Sequence, residues 1–529
     1  MNDLLDYFEK TALRFPDKTA VACRNLDYTF QQLKDLSQAL GECIAGLQPG
    51  NGPAGVLVDR GIDTAVFFLA ALYSGNFYVP IDPDMPREKI ELVLEDADIR
   101  VLLCREDRRD FLRELGYEGE ILTIGDANTP STDDDPATGL HTQESPKGQS
   151  AVRTPLTDPN TPAYMIYTSG STGQPKGVLK SHGAVIDFME TFIDLFSLGP
   201  EEIIGNQTPF FFDASAKDFY LMVFTGATLE ILPSELFVFP VTLIEYLNQR
   251  NVSYICWVPS ALTVVTQLNT FLQVLPTTLT KIFFVGETFP LKHLKKWMEA
   301  LPGMQYVNLY GSTEIAGVCC FYELPVPFEG EEIPMGRALP NCEVFLLETA
   351  DAAPGTDPDK AASRRFITDP DTVGEICVAG DSLALEYYHD PERTKNTFVT
   401  LTLPDGTCAR TLCTGDLGRY DADGNLLFVS RRDDQIKHMG HRIELGEIES
   451  VVDRIPEIAK CCCLYQKKKQ RICLFCELIP GCDWDAKTIR RMLGERLSEY
   501  MQPSKCYVLD KIPLNANGKA DRGRLKEML

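Results

Sequence analysis

Several features that would assign this chain to a simple class are missing from the sequence. There is no run of about 18 uninterrupted apolar residues, the minimum expected of a membrane-spanning helix. Basic residues are not in surplus, because 51 Lys and Arg stand against 76 Asp and Glu, a formal charge of −25. The chain therefore has no electrostatic reason to bind nucleic acid or anionic lipid. Its start is acidic and amphipathic, unlike a signal peptide. We expect a cytoplasmic protein with neither a membrane nor a nucleic-acid partner.

A disulfide framework is not expected either, although the chain has 17 cysteines. An odd count in a large chain without a secretion signal is untypical of disulfide-stabilised secreted proteins. Seven cysteines lie between Cys461 and Cys506, and Cys473 and Cys476 have the spacing of metal ligands. However, five of the seven fall in two strand-like segments, 461–465 and 472–476, where cysteine behaves as a small apolar residue. We expect reduced core thiols, with a zinc site as the alternative.

The length and the pattern of apolar segments predict several structural units. A chain of 529 residues is too long for a single core. Strand-like apolar runs alternate with helical segments over residues 1–430, which indicates an α/β fold with mainly parallel sheets. Residues 431–529 have their own pattern of helices and strands and are expected to form a smaller domain. A segment rich in Pro, Ser, Thr and Asp, at about 127–162, is expected to be a flexible surface insertion.

The segment from Tyr164 to Val178 has the composition of a phosphate-binding loop. Glycines let backbone N–H groups point toward an anion, hydroxyl side chains add donors, and Lys176 adds a positive charge. The spacing differs from that of a Walker A loop, because only two residues separate Gly173 from Lys176. A flexible Ser/Gly surface loop is the alternative. The predicted phosphate cradle comprises Thr168, Ser169, Gly170, Ser171, Thr172, Gly173 and Lys176.

Four further segments complete a pattern with this loop. They are Asn308-Leu-Tyr-Gly-Ser-Thr-Glu314, Thr414-Gly-Asp-Leu417, the stretch from Arg431 to Glu449, and Asn517-Gly-Lys519. In this order and spacing they resemble the adenylate-forming, AMP-binding enzymes, and specifically the amino-acid adenylation domains of nonribosomal peptide synthetases, stand-alone or excised. The resemblance covers essentially the whole chain. It implies an α/β fold with a large multi-subdomain N-terminal domain of layered sheets and helices, followed by a small mobile C-terminal α+β lid domain.

The resemblance also implies an activity. An enzyme of this family activates an amino acid with ATP and Mg²⁺, releases pyrophosphate and transfers the acyl group to the phosphopantetheine thiol of a carrier protein. Because the chain ends ten residues after Lys519, we expect that carrier to act in trans. Two other enzymes stay open, an acyl- or aryl-CoA synthetase and a D-alanine carrier-protein ligase. A nucleotide-binding regulator without catalytic activity is the alternative from a different class.

Roles for individual residues follow from the matching motifs. Lys519 would bridge the substrate carboxylate and the α-phosphate, two anions that repel each other until a cation lies between them. Lys176 and Glu314 complete the predicted catalytic set, with Glu314 and Thr313 placed at the Mg²⁺. Asp433 matches the hinge between the domains, and Lys437 is expected to serve after the lid rotates. The other implied nucleotide-binding positions are Gly286, Glu287, Asn308, Tyr310 (on adenine), Gly311, Ser312, Asp416 (on ribose) and Arg431.

Asp213 and Lys217 are the candidates for recognition of the substrate. Four residues apart on a helix, they share one face, and flanking aromatic residues favour burial, where charges must be paired or used. An ordinary ion pair between the two is the alternative. The resemblance places Asp213 on the substrate α-ammonium group, and Lys217 favours glutamate, then aspartate, as the substrate. The other implied pocket-wall residues are Ala214, Trp257, Phe283, Val285, Leu309, Gly317 and Val318.

Overall fold

A computed structural model describes residues 3–127, 156–168, 175–349, 364–432, 435–514 and 520–529. Most of the predicted insertion lies outside this part of the chain, so its prediction as a surface segment stays open. The predicted site residues that lie outside the described residues are Ser169, Gly170, Ser171, Thr172, Gly173, Asp433 and Lys519.

The larger of two mainly parallel sheets consists of nine strands among the described residues. Its central strands are short apolar runs whose side chains are buried on both faces, as parallel strands covered by helices require. An antiparallel strand follows Gln305–Tyr310 and continues that edge. In spatial order the strands are Arg337–Ala338, Cys320–Leu324, Gln305–Tyr310, Lys281–Val285, Tyr254–Trp257, Ile203–Asn206, Thr228–Ile231, Thr19–Cys23 and Leu26–Thr29.

The second mainly parallel sheet carries the predicted cradle on its antiparallel pair of strands. Thr168 and Lys176 are opposite each other at the end of that pair, on either side of the loop between them. The two residues that flank the predicted cradle are therefore held next to each other at one end of this strand pair. In spatial order the strands are Glu386–Tyr387, Lys176–Ser181, Pro162–Thr168, Phe77–Ile81, Pro53–Leu57, Val101–Leu103 and Glu120–Leu122.

Helices cover both of these sheets and enclose the largest hydrophobic core. The helix Asp63–Tyr73 is buried from Thr64 to Leu72, which is the pattern of a helix packed on all sides. The helix Phe30–Leu47 starts in a capping box formed by Thr29 and Gln32. Among the described residues before residue 400, the α-helices are Leu4–Arg14, Phe30–Leu47, Asp63–Tyr73, Arg87–Asp96, Arg109–Leu115, Ile124–Ala127, His182–Phe196, Asp213–Thr225, Pro240–Gln249, Pro259–Gln267, Leu291–Ala300 and Pro391–Thr397. Short 3₁₀ turns lie at Glu106–Arg108, Ser234–Val238 and Thr270–Leu272.

A third sheet, of antiparallel strands, brings two predicted nucleotide-binding residues together. Asp416 is opposite Arg431 in the register of the pair Cys408–Tyr420 and Leu426–Arg431. The strands of this sheet are Phe366–Ile367, Cys342–Leu347, Gly374–Gly380, Cys408–Tyr420, Phe398–Thr402 and Leu426–Arg431.

The last part of the chain has its own hydrophobic clusters, formed by side chains from Ile436 to Leu529. A hairpin comes first and packs against the rest of the protein; we call residues 435–444 the lid hairpin. Its strands are Gln435–His438 and His441–Glu444, followed by the strands Ile458–Gln466, Arg471–Leu478 and Lys505–Leu509. The helices are Leu445–Val452, Ala486–Gly494 and Arg522–Glu527, with 3₁₀ turns at Lys467–Lys469 and Glu499–Met501. The α/β class with a smaller α+β part is confirmed, whereas a boundary at residue 430 stays a prediction.

The clustered cysteines belong to the core of this smaller part. Cys463 and Cys476 are fully buried in the hydrophobic cluster around the helix Ala486–Gly494, and all 17 cysteines are free thiols. Among the described residues, one group of acids and thiols is close enough to hold a metal ion, and it consists of Glu375, Cys377 and Cys413 in the antiparallel sheet. The zinc alternative for Cys473 and Cys476 therefore finds no ligand set in the part of the chain that is described. Within the same residues, no helix is long and apolar enough to span a membrane.

Candidate active site

A cavity lies where the ends of the two mainly parallel sheets face the lid hairpin. The strands Pro162–Thr168 and Lys281–Val285 contribute their last residues to its wall, and the lid hairpin closes the opposite side. Ligands of open parallel sheets bind in this kind of crevice, beyond the carboxyl ends of the strands. The predicted site residues at its wall are Thr168, Asp213, Ala214, Lys217, Val285, Gly286, Gly311, Ser312, Thr313, Gly317, Val318, Asp416, Arg431 and Lys437.

Three predicted pocket-wall residues lie elsewhere. Trp257 is fully buried in a different hydrophobic cluster, where its indole N–H donates to the carbonyl of Gly205 at 2.8 Å. Phe283 is on the same strand face as Val285 but two residues earlier, where it packs in the core against other aromatic rings. Leu309 is buried in the same core. These three side chains are buried in hydrophobic cores and do not line the cavity, so their role as pocket-wall residues stays a prediction.

Asp416 is the centre of the proposed ribose site. It is 2% exposed, and each of its carboxylate oxygens already accepts one hydrogen bond. Tyr310 donates its hydroxyl to Oδ2 at 2.6 Å, and Arg431 donates from Nη1 to Oδ1 at 2.6 Å. A carboxylate has about four acceptor sites, so capacity remains for two vicinal hydroxyls.

The rest of the predicted adenine site borders this group. Asn308 donates its side-chain amide to the carbonyl of Pro334 at 2.7 Å. Lys437 of the lid hairpin places Nζ 5.6 Å from the centre of the Tyr310 ring, within the range of a cation–π contact. Burial lowers the pKa of Lys437, although the Asp416 carboxylate partly raises it. Lys437, which was expected at the site after the lid rotates, thus lies at the cavity in this arrangement.

Glu314, the predicted Mg²⁺ carboxylate, is held by an arginine of the lid hairpin. Arg442 donates from Nη1 to both carboxylate oxygens, at 2.9 and 2.8 Å. Tyr387 donates its hydroxyl to Oε1 at 2.6 Å. Burial alone raises the pKa of Glu314, but the Arg442 guanidinium outweighs it and holds that pKa well below its usual range. Glu314 is therefore an ionised carboxylate whose present counter-ion comes from the lid.

Lys176, the predicted phosphate lysine, also has a partner on the lid hairpin. Its Nζ is 3.2 Å from Oε1 of Glu444. Burial lowers the pKa of Lys176, and the Glu444 carboxylate raises it in part. A further ion pair between the two parts of the chain joins Lys89 to Glu447. The lid is thus tied to the large domain by three ion pairs among the described residues, two of them through predicted catalytic groups.

The turn of the lid hairpin packs against Val258 and Glu287, which lie in loops of the large domain. Gly440 has a φ of 82° and donates its N–H to Oε1 of Glu287 at 2.8 Å. A Cβ at this position would lie 2.8 Å from the side chain of Val258, so the close approach requires glycine. The next residue, His441, stacks on Tyr500 with ring centres 3.6 Å apart and meets the edge of Phe212 at 4.4 Å.

The proposed ammonium-binding residue Asp213 has a lysine partner that sequence reasoning missed. Lys180 makes an ion pair with Oδ1 of Asp213 and also donates to the carbonyl of Ile315 at 2.8 Å. Tyr164 donates its hydroxyl to the same Asp213 oxygen at 3.0 Å. Lys180 is fully buried. The signal was present in the sequence, because Lys180 is a charged residue directly after the apolar residues Val178 and Leu179 of the strand that follows the cradle.

Lys217 reaches the cavity wall but does not pair with Asp213. Its ammonium group forms a buried ion pair with the adjacent Asp218, and the hydroxyl of Tyr254 is 3.4 Å away. Asp218 in turn accepts from the amide of Asn206 at 3.0 Å. Burial lowers the pKa of Lys217, but the Asp218 carboxylate outweighs it, and the net shift is upward. The charge of Lys217 is therefore already balanced inside the protein.

Residues that line the cavity, together with Lys176 and Glu314, which are adjacent in sequence to the wall residues Pro175 and Thr313, fit a nucleotide. Ser312 Oγ is buried at the wall and has no hydrogen-bond partner among the described residues, which is unusual for a buried hydroxyl unless a ligand completes it. Asp416 suits ribose hydroxyls, and Lys176 suits a phosphate. Glu314 and Thr313 offer the oxygen ligands that Mg²⁺ prefers, and at Glu314 the metal ion would have to replace Arg442 as the counter-ion.

Comparison with known proteins identifies the class. Residues 8–388 match the family of AMP-binding enzymes, and residues 447–519 match the C-terminal domain of AMP-binding enzymes. The chain belongs to the AMP-binding enzyme family. The predicted resemblance to adenylate-forming enzymes is therefore confirmed.

The relatives are carrier-protein ligases and peptide synthetases. An L-proline–[L-prolyl-carrier protein] ligase of Pseudomonas fluorescens is 31% identical over 516 residues, which are 96% of this chain and 96% of that protein. A D-alanine–D-alanyl carrier protein ligase of Bacillus cytotoxicus is 30% identical over 99% of this chain and 98% of that protein. Tyrocidine synthase 1 of Brevibacillus parabrevis is 29% identical over 98% of this chain. The chain spans only 44% of the length of that synthase.

Solved structures show the same fold. The Vibrio cholerae adenylation domain AlmE, in complex with glycyl-adenosine-5′-phosphate, superposes with a TM-score of 0.81 over 100% of this chain and 98% of that one, at 19% identity. IdnL1 superposes with a TM-score of 0.76 over 97% and 99% of the two chains, at 26% identity.

Proposed function

We propose that this chain activates an amino acid as its adenylate with ATP and Mg²⁺ and then transfers the acyl group to the phosphopantetheine thiol of a carrier protein. Glutamate is the first candidate substrate and aspartate the second. One observation supports the proposal most directly: Asp213, Lys217, Thr313 and Asp416 all line a single cavity. Because the reaction consumes ATP, we place it in the cytoplasm.

The residues of the chain have distinct tasks in this reaction. Bound ATP supplies the α-phosphate for the substrate carboxylate, and Mg²⁺ neutralises phosphate charge. Asp416, held by Tyr310 and Arg431, orients the ribose. Lys176 lies at the end of the cradle strands, where it can contact phosphate oxygens. In the arrangement described, the lid hairpin lines one side of the cavity with Gln435, Lys437, Gly440 and Arg442.

Lys519 and the hinge complete the proposal. Both Lys519 and Asp433 lie outside the described residues, so their roles rest on the family motif. In the arrangement described, the lid hairpin faces the cavity with Lys437. We propose that rotation at Asp433 replaces this hairpin by the segment that carries Lys519 for the adenylation step.

A second candidate substrate is a small uncharged amino acid such as D-alanine. The observation that favours it is the internal ion pair between Lys217 and Asp218, because a substrate carboxylate would compete with a carboxylate already in place. The 30% identity to a D-alanine carrier-protein ligase adds to this candidate.

The test is ATP–pyrophosphate exchange with the proteinogenic amino acids, D-alanine and a few aryl acids. The Lys217→Met variant is compared with Lys281→Met, a matched control that removes a lysine paired with the buried Glu202 in the large sheet. For glutamate we expect exchange that falls at least tenfold in Lys217→Met and not in the control. A signal for D-alanine that survives Lys217→Met favours the second candidate. The absence of exchange with every acid tested would contradict the proposed function.

A further inference from the structure

Lys180 and Asp213 form a buried ion pair at the wall of the cavity. Lys180 lies on the strand Lys176–Ser181, directly opposite Tyr164 on the neighbouring strand. Its ammonium group is 5.4 Å from the centre of the Tyr164 ring, in contact with Asp213, and 2.8 Å from the Ile315 carbonyl. Lys180 has no exposed side-chain surface. It is a fixed internal counter-ion, held by acceptors that all belong to the large domain.

Asp213 stands between this lysine and the cavity. It is the first residue of the helix Asp213–Thr225 and lines the cavity wall, whereas Lys180 does not. Among the described residues, both of its hydrogen bonds, from Lys180 and Tyr164, end on Oδ1. Oδ2 is therefore the oxygen through which Asp213 can accept a hydrogen bond from a ligand.

The charge of the pair determines which ligand group is stabilised there. An ammonium group loses its hydration on entering a closed site and needs a net negative charge in return. Here the carboxylate is already neutralised, since the Lys180 charge lies just behind it. An uncharged donor such as a hydroxyl loses far less hydration and needs only the free oxygen. Burial also disfavours the charged form of both groups, because it raises the pKa of Asp213 and lowers that of Lys180.

We infer that Lys180 is a specificity-determining residue, and that the site accepts 2-hydroxy acids as well as 2-amino acids with the same side chain. This inference rests on the proposed function, because it concerns the acid that is adenylated. Lys180 acts through Asp213 and does not touch the substrate, so it is a positioning residue. The additional activity is the adenylation of a 2-hydroxy carboxylic acid on its own carboxylate group, as for the amino acid.

The experiment compares matched acids in the ATP–pyrophosphate exchange assay, which needs no carrier protein. The probes are the best amino acid from the panel and its 2-hydroxy analogue of the same configuration, for example L-glutamate with 2-hydroxyglutarate and D-alanine with D-lactate. For the unmodified chain we expect kcat/KM values within about tenfold of each other. The Michaelis constant for ATP is measured in parallel as a check on the nucleotide site.

Two variants separate recognition from structural support. Lys180→Met keeps the length of the side chain but leaves Asp213 with a net charge, and we expect the amino-to-hydroxy ratio to rise at least tenfold. The double variant Lys180→Met with Asp213→Asn removes both charges, so the site has no net charge, like the original ion pair. Its amino-to-hydroxy ratio should stay within about threefold of that of the unmodified chain. This second variant also covers the case in which Lys180→Met alone does not fold.

The opposite results are equally definite. Hydroxy-acid activity more than a thousandfold below that of the amino acid, or an unchanged ratio in Lys180→Met, overturns the inference while the proposed function stands. A hundredfold loss of amino-acid exchange in the double variant, with hydroxy-acid exchange retained, would show that the Asp213 charge binds the ammonium group and also overturns it. If the unmodified chain shows no ATP–pyrophosphate exchange with any acid, both the inference and the proposed function are overturned.

Discussion

Arg442 of the lid hairpin forms an ion pair with the buried Glu314, and Nη1 of the arginine is 2.9 and 2.8 Å from the two carboxylate oxygens. Two residues further along the same strand, Glu444 pairs with Lys176 at 3.2 Å. The lid hairpin thus offers a cation to the predicted metal carboxylate and an anion to the predicted phosphate lysine. In this arrangement the two groups proposed to hold Mg²⁺ and phosphate are neutralised by the lid itself.

Arg442→Gln should make Mg²⁺ binding easier. The variant removes a cation that competes for Glu314, and a hydrogen bond to a charged group contributes about 1.5–3 kcal/mol. We expect the Mg²⁺ concentration for half-maximal ATP binding, measured by calorimetry, to fall about tenfold. Arg250→Gln is the matched control, because Arg250 pairs with the buried Glu230 far from the cavity. An equal effect in both variants would contradict this role of Arg442.

Glu444→Gln should strengthen ATP binding for a related reason. The variant removes the carboxylate that occupies Lys176, so a phosphate no longer has to displace it. We expect the Kd for ATP to fall about three- to tenfold, with a weaker effect at high salt because the contact is electrostatic. Glu449→Gln serves as control, since Glu449 pairs with Arg522 within the lid. An unchanged Kd in Glu444→Gln would show that Lys176 and Glu444 are not in competition with phosphate.

Gly440→Ala should undock the lid hairpin. Gly440 and Gly424 both have positive φ, 82° and 77°, but only a Cβ at Gly440 meets a neighbour, Val258 at 2.8 Å. Gly424→Ala therefore measures the cost of the left-handed backbone conformation alone, about 1–2 kcal/mol. We expect faster amide hydrogen exchange in residues 435–444 for Gly440→Ala and not for Gly424→Ala. Equal protection in the two variants would mean that the docked turn tolerates a side chain.

His441 should make the docked lid less stable in mild acid. Burial lowers the pKa of His441 from 6.5 to about 3, so the folded state packs the neutral ring between Tyr500 and Phe212. Stability is unaffected above pH 6.5 and declines as the pH falls from 6.5 toward 3, because the unfolded state then binds more protons. Between pH 7 and pH 5 this amounts to about 2 kcal/mol.

The measurement for His441 is urea unfolding at both pH values. In His441→Phe, the loss of stability between pH 7 and pH 5 should be smaller by that amount than in the unmodified chain. His389→Gln, which changes an exposed histidine, should leave the pH dependence as it was. A His441→Phe variant with the original pH dependence would contradict the buried neutral ring.

Local sequence patterns predicted the chemistry of several site residues. Asp416 follows a glycine within a strand, and Glu314 ends a turn after a buried strand; the residue types and their motif were sufficient to propose ribose and metal roles. The α/β class could also be predicted from the sequence, because short apolar runs alternate with amphipathic helical segments. These properties depend on neighbours along the chain.

The residues of the pocket wall were harder to predict from the sequence. Val285 reaches the cavity, whereas Phe283, on the same face of the same strand, lies in the core. Strand periodicity gives the face of a residue but not its depth beneath the sheet edge. The partner of Lys217 was missed for a similar reason: the choice between Asp213 and Asp218 depends on the rotation of one helix against the large sheet.

By itself, the sequence determined the family, the α/β class and the residue types available for phosphate, ribose, metal and carboxylate binding, since motifs and periodicity are local properties. Only the tertiary structure decided how charges are paired. Lys180 with Asp213, Arg442 with Glu314 and Glu444 with Lys176 join residues separated by 33, 128 and 268 positions. Such pairs form because burial makes an unpaired charge costly, and which partners meet depends on how sheets and lid pack together.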